Sequence, residues 1–291
     1  SMKSQLSHQA AWKKSVFEVY QDASVSLDWN EELKKTCEDA GIHFFTTPYA
    51  IDIVHAVDDL VPAYKIGSGD ITWPAMIETV ASKGKPYLLA CGASNIDEVI
   101  DAVKLGLSIN ENLLLMQCNT NYTASLENFK YINLNVLNSF KNLFPDLLLG
   151  LSDHTPGHST VLGAITLGAR AIEKHFTDDT SREGPDHKFS MDPFSWREMV
   201  DRSRELEISI GSSIKKIEDN EKDSIIVQRR SICLDCDMKS GEIISIDKLT
   251  MLRPCPTGAF KPSELSEVEG RKLAVNKVKG EPLMRDDIFK D

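Results

Sequence analysis

The sequence predicts an α/β fold, a (β/α)8-type (TIM) barrel lacking its first two βα units, followed by a small, mostly β module. Three observations carry that expectation. Short apolar runs with little polar alternation recur through the first two thirds of the chain, each followed by a stretch of helical periodicity, as expected of parallel strands buried on both faces. A cluster of small and polar residues follows each run. Chemistry spread over many strand ends favours a closed barrel over a doubly wound sheet, which gathers it at one crevice. From about residue 225 the texture changes to short strands and turns.

The elements follow in order. Residues 10–20 and 29–40 read as helices. Strand-like runs cover 42–47, 63–66, 87–90, 113–116, 147–150 and 171–175, about six where a closed barrel of this kind has eight. Between them, residues 95–105 form an amphipathic helix, with Ile96, Val99, Ile100 and Val103 at i, i+3, i+4 and i+7 and Asp97, Glu98 and Asp101 opposite. A helix over 194–210 closes the barrel part. The charged stretch after it reads as a solvated connector, which sets the domains as barrel 1–211, linker 212–228 and β module 229–291.

Composition narrows the function. Lys+Arg 33 against Asp+Glu 44 leaves a formal charge of −11, which argues against a broad nucleic-acid-binding face. No run approaches the ~18–20 apolar residues of a membrane span. The first residues lack the apolar core of a signal peptide, and Ser1-Met2 reads as an expression remnant. Six cysteines are sparse, and the Cys233-x-x-Cys236 pair, with Cys255 beyond it, lacks the second pair that a zinc site needs. Reduced structural thiols and a cytoplasmic setting are expected.

The candidate chemistry lies where predicted strands end. Ser152-Asp153-His154 and Glu173-Lys174-His175 close consecutive strands. Neighbouring strands lie ~4.8 Å apart, so His154 and His175 can converge on one metal and leave positions for water or substrate; the alternative is that each ring caps its strand by bonding backbone. Lys65-Ile66-Gly67-Ser68-Gly69-Asp70 places a cation, a hydroxyl and small residues at another strand end, with Thr47, Ser152 and Gly92 at neighbouring ends. Such a ring suits a phosphate or carboxylate. Tight turns explain its glycines but not Lys65, because a lysine inside an apolar strand needs an anionic partner or a route to water. Gly184-Pro185-Asp186-His187 brings a carboxylate near the histidines, and Asp70 and Glu173 are carboxylates able to hold substrate hydroxyls.

Together, Gly150-Leu151-Ser152-Asp153-His154-Thr155, Glu173-Lys174-His175-Phe176-Thr177, Gly184-Pro185-Asp186-His187, Thr47-Pro48 and Lys65-Ile66-Gly67-Ser68-Gly69-Asp70 resemble the sialic acid (N-acetylneuraminate) synthase family. Arg229-Arg230-Ser231, Lys239-Ser240-Gly241-Glu242 and Leu252-Arg253-Pro254 resemble that family's carboxyl-terminal antifreeze-like (SAF) domain. The resemblance implies condensation of phosphoenolpyruvate with N-acetylmannosamine or a related N-acyl hexosamine, giving a nine-carbon 2-keto acid and phosphate. It implies Mn2+ or Mg2+ on His154 and His175, and phosphoenolpyruvate on Lys65, Thr47, Ser68 and Ser152. The amino sugar would lie against Thr120, Tyr122, Asp70 and Asp186, with Arg253 reaching its acyl group across a domain-swapped homodimer. The chain reads Ala90-Cys91-Gly92 where the family often has Ser-Thr-Gly, and Thr120 where it usually has asparagine. The family's amino-terminal segment has no counterpart, so a catalytically silent barrel that still binds ligand or dimerises is the competing expectation.

Overall fold

The structure is a computed structural model that describes residues 15–22, 24–184 and 186–289; positions 10–14 of the first expected helix, and Pro185, lie outside them. The chain divides after Gly211 into two compact units. In the first, helices α1 (Val16–Asp22), α2 (Trp29–Asp39) and α3 (Ile51–Ala56) precede strand β1 (Tyr64–Ile66). The alternation then runs α4 (Pro74–Ala81), β2 (Tyr87–Ala90), α5 (Ile96–Leu107), β3 (Leu113–Cys118), α6 (Val136–Leu143), β4 (Leu148–Asp153), α7 (Ser159–Thr166), β5 (Ala169–Lys174) and α8 (Pro193–Ile210). The five strands lie side by side in chain order and all pairs are parallel, the arrangement that βα repeats dictate. Among the described residues no helix is long and apolar enough to cross a membrane.

The expected strand over 42–47 is reduced to one bridge, Thr46 with Tyr64. It lies outside β1 at the sheet's edge, and Ile42 and Phe45 along it are exposed; a strand paired on one side only has half the ladder to hold it. A second bridge, Phe176 with Met191, continues the sheet past β5.

Alternation along the strands separates two apolar layers. Tyr64, Ile66, Tyr87, Leu89, Leu113, Leu115, Leu149 and Leu151 pack with Val54, Ile77, Val99, Val103 and Phe140 of the helices. On the other face, Ala90, Met116 and Cys118 form a smaller cluster with Leu88, Leu114 and Ala171. Gly150 makes room there, since a Cβ on it would meet Leu114 Cδ2 at 2.9 Å and the Ala171 carbonyl at 2.8 Å. The amphipathic reading of α5 needs rotating: Val99, Ala102, Val103 and Gly106 are buried, whereas Ile96 is 43% exposed. Ile96 is the helix's first residue, and Asn95 and Glu98 form a capping box there, which fixes the helix start beyond the packed surface.

A polar knot secures the amino ends of β1 and β2. Asp58 accepts from the Tyr64 hydroxyl at 2.8 Å and pairs with Lys83 at 2.8 Å and Lys85 at 2.9 Å. Burial pushes the Asp58 carboxyl up, but the two ammonium groups and the Tyr64 hydroxyl outweigh it and hold the group well below the usual carboxylate range. A carboxyl depressed on folding stabilises the folded state above its unfolded pKa, near 4, and loses that contribution as pH falls toward the folded value. Asp58→Asn is expected to cost about 1–3 kcal/mol at pH 7. Urea unfolding at pH 7 and pH 3 checks this: the gap between parent and variant should narrow in acid.

In the second unit the stretch expected as a solvated linker carries helix α9 (Lys222–Gln228), and the Ile226 carbonyl accepts from the Cys255 amide at 2.8 Å. Strands β6 (Ser231–Leu234) and β7 (Leu249–Leu252) pair antiparallel, and the short helix α10 (Leu265–Val268) follows. Ile232, Leu234, Met238, Ile244, Phe260, Val268, Leu273 and Leu283 form this unit's own core.

Candidate active site

The site is built by the same alternation. Ser152 and Glu173 are paired across β4 and β5, and Cys118 and Ser152 across β3 and β4, so the three form one row across neighbouring strands. Glu173 Oε1 accepts from Ser152 Oγ at 3.0 Å and lies 3.1 Å from Lys65 Nζ. The anionic partner that Lys65 needs is therefore a carboxylate of this chain, and Glu173, expected to await substrate hydroxyls, is occupied by the lysine and the serine. Burial pushes the Cys118 thiol up, opposed by its bonds with the Ser68 and Ser152 hydroxyls. Ser68 Oγ also accepts from the Gly92 amide at 2.9 Å. Gly92 is required by space: a Cβ there would lie 2.4 Å from Thr120 Cγ2 and 3.0 Å from both Cys118 Sγ and Ser68 Oγ. Lys65, Ser68, Gly92, Thr120, Cys118, Ser152 and Glu173 are thus one cluster.

One residue past each strand, His154 and His175 form a second. Their ring centroids are 5.1 Å apart with planes at 62°. The Tyr122 ring lies 4.1 Å from His154 and 5.8 Å from His175, and Phe189 lies 5.0 Å from His175. His154 is buried, and burial pushes its pKa down to about 4 against the pull of the Asn119 carbonyl. A neutral ring with Nδ1 at 2.7 Å from that carbonyl donates from Nδ1 and keeps a lone pair on Nε2. His175 Nδ1 lies 3.4 Å from Asp186 Oδ2.

Neutral imidazoles are donors that a divalent ion takes. A histidine whose other nitrogen is fixed by a carbonyl is the usual form of an imidazole ligand. Among the described residues no group of three or more His, Cys, Asp or Glu is placed to hold a metal; His154 and His175 are the residues that would hold one.

The remaining expected residues flank these clusters or lie elsewhere. A Cβ on Gly67 would lie 3.7 Å from Thr47 Cγ2, which puts Thr47 beside the turn after β1. Asp70 sits in that turn with Oδ2 buried and without a hydrogen-bond partner, and burial raises its pKa. Arg253 belongs to the second unit, where its Nε donates to the Gln228 carbonyl at 2.5 Å.

Sequence reasoning missed the Asn119 carbonyl, Phe189, the place of Cys118 in the polar row, and a buried ion pair between Asp153 and Lys174 at 2.9 Å. The alignment of Cys118 with Ser152 needs the register between β3 and β4, which spacing along either strand does not give. Phe189 comes from a loop with no periodic signal.

Residues 1–215 match the NeuB family and residues 229–288 match the SAF domain. The chain belongs to the NeuB family. Among its NeuB-type relatives, N,N'-diacetyllegionaminic acid synthase of Legionella pneumophila is 37% identical over 275 residues, 90% of this chain and 75% of the relative. The synthase of the same name from Campylobacter jejuni is 32% identical, covering 94% of this chain and 80% of its own length. Human N-acetylneuraminate-9-phosphate synthase is 29% identical over 95% of this chain and 76% of its own. Among solved structures, an N-acetylneuraminic acid (sialic acid) synthetase from Leptospira borgpetersenii superposes with a TM-score of 0.67 at 24% identity, covering 74% of each chain. The expected fold class, a TIM-type α/β unit with a SAF domain, holds for this NeuB-family chain.

Proposed function

We propose that this chain condenses phosphoenolpyruvate with the open-chain form of an N-acyl hexosamine, giving a nine-carbon 2-keto acid and phosphate. The observation that carries the reading is the adjacency of two clusters: the His154–His175 pair stands two residues beyond the row that joins Lys65, Ser152 and Glu173.

In this reading Lys65 and the hydroxyls of Ser68, Ser152 and Thr47 hold the carboxylate and phosphate of phosphoenolpyruvate through charge-assisted and neutral bonds, with Gly92 keeping the floor low. Thr120, Tyr122, Asp70 and Asp186 hold the sugar. The unpartnered Asp70 oxygen is an acceptor for a sugar hydroxyl, and Asp186 orients His175. Mn2+ or Mg2+ bound by His154 and His175 would polarise the sugar aldehyde. C3 of phosphoenolpyruvate forms the new bond to the aldehyde carbon, water adds at C2, and the C2–O bond to phosphate breaks. Lys65 and the serine hydroxyls face the charge that grows on the departing phosphate, and holding both substrates on one rigid sheet edge removes much of the association entropy from the chemical step. The proposal includes a domain-swapped homodimer in which Arg253 of each protomer serves the acyl group of the sugar held by the other.

Phosphate release from phosphoenolpyruvate tests this, assayed with Mn2+ against N-acetylmannosamine and diacetamido-hexoses. Release that depends on one of these sugars is expected; silence with every sugar, from a folded protein, would overturn the reading in favour of a chain that binds without catalysis.

A further inference from the structure

Behind the two histidines lies a charge pair for which the reaction offers no direct use. Asp153 and Lys174 directly precede His154 and His175, are partners in the β4–β5 register, and lie 2.9 Å apart with side chains 0% and 1% exposed. They turn toward α7, away from the reacting groups. Asp153 accepts from the Thr155 amide at 3.1 Å, from the Thr155 hydroxyl at 2.9 Å and 3.0 Å, and from the Thr160 hydroxyl at 2.5 Å, while Lys174 also donates to the Thr155 carbonyl. A buried ion pair is weak evidence for stability, since apolar side chains of similar volume often serve as well. What apolar packing lacks is direction. These bonds tie the last residue of β4, the last residue of β5 and the first turn of α7 at fixed lengths, one residue short of each imidazole.

We infer that Asp153 and Lys174 are positioning residues that hold the His154 and His175 rings at a common height, and so set the affinity of the pair for a divalent cation. The inference rests on the proposed role of those rings, but it concerns residues that touch neither substrate nor ion. The His154 Nδ1 bond to the Asn119 carbonyl, 2.7 Å long and made to the loop after β3, is the contact that a shift of β4 against its neighbours would break first.

The test is the apolar double replacement Asp153→Leu with Lys174→Met, read by long-range 1H–15N spectra of the imidazoles and by Mn2+ titration. The parent should show His154 as one tautomer with hydrogen on Nδ1. The double variant should keep its fold yet lose that single tautomer, and bind Mn2+ about 10–100-fold more weakly, the usual cost of losing support behind a metal ligand. A merely structural pair predicts parental ring signals in the double variant, and that result overturns the inference whatever the metal affinity. If the double variant does not fold, Thr160→Val leaves both charges in place and removes one bond to Asp153; a shift of the His154 signals with about threefold weaker Mn2+ binding is expected, and unchanged signals count against the inference. A parent chain that takes up no Mn2+ would bring down the metal reading, while the ring signals would still decide this one.

Discussion

On the proposed function, replacing His154 or His175 with alanine should lower the rate of phosphate release by about a thousandfold, because Lewis-acid polarisation of a carbonyl is worth several kcal/mol of transition-state charge stabilisation. The loss should fall on kcat more than on the KM for phosphoenolpyruvate, since Lys65 and Ser152 belong to the neighbouring cluster. Steady-state kinetics on folded variants measure the split. The pH profile adds a second check. Burial keeps His154 neutral down to about pH 4, so an acid limb between pH 5 and 7 should not come from this ring.

Lys65→Met should have the opposite kinetic signature. A hydrogen bond to a charged group contributes roughly 1.5–3 kcal/mol, so kcat/KM for phosphoenolpyruvate should fall about 10–100-fold, mostly through KM. Lys65 lies 3.1 Å from Glu173, so its loss also strands a carboxylate. Glu173→Gln separates the two effects. It removes the pairing charge but leaves the cation, and should raise the KM for phosphoenolpyruvate far less than Lys65→Met. Equal effects in the two variants would mean that the lysine serves the fold and not the anion.

The strands and the two polar clusters could be read from the sequence because their signals are local. Apolar runs marked β1 to β5, and strand ends marked Lys65, Ser152, His154 and His175. What could not be read depends on register. Asp153 faces Lys174 only because the pairing shifts between Leu149 and Gly150, a bulge that no periodicity announces. Glu173 was legible as a carboxylate near the site, but its engagement by Lys65 requires knowing that strands β1 and β5 share a face. Cys118 read correctly as buried; its company among Ser68 and Ser152 follows from parity along β3, which spacing within one strand does not relate to the next. The edge run 42–47 carried a strand-like composition, yet a single bridge is all that forms, because strand propensity needs a partner on which to act.

Calorimetric titration of Mn2+ into the parent chain, His154→Ala and His175→Ala bears most directly on the central claim, that two imidazoles at successive strand ends hold a cation beside an anion cradle. One ion per chain should bind to the parent, and neither variant should retain measurable affinity. Parental binding in both variants would contradict the account.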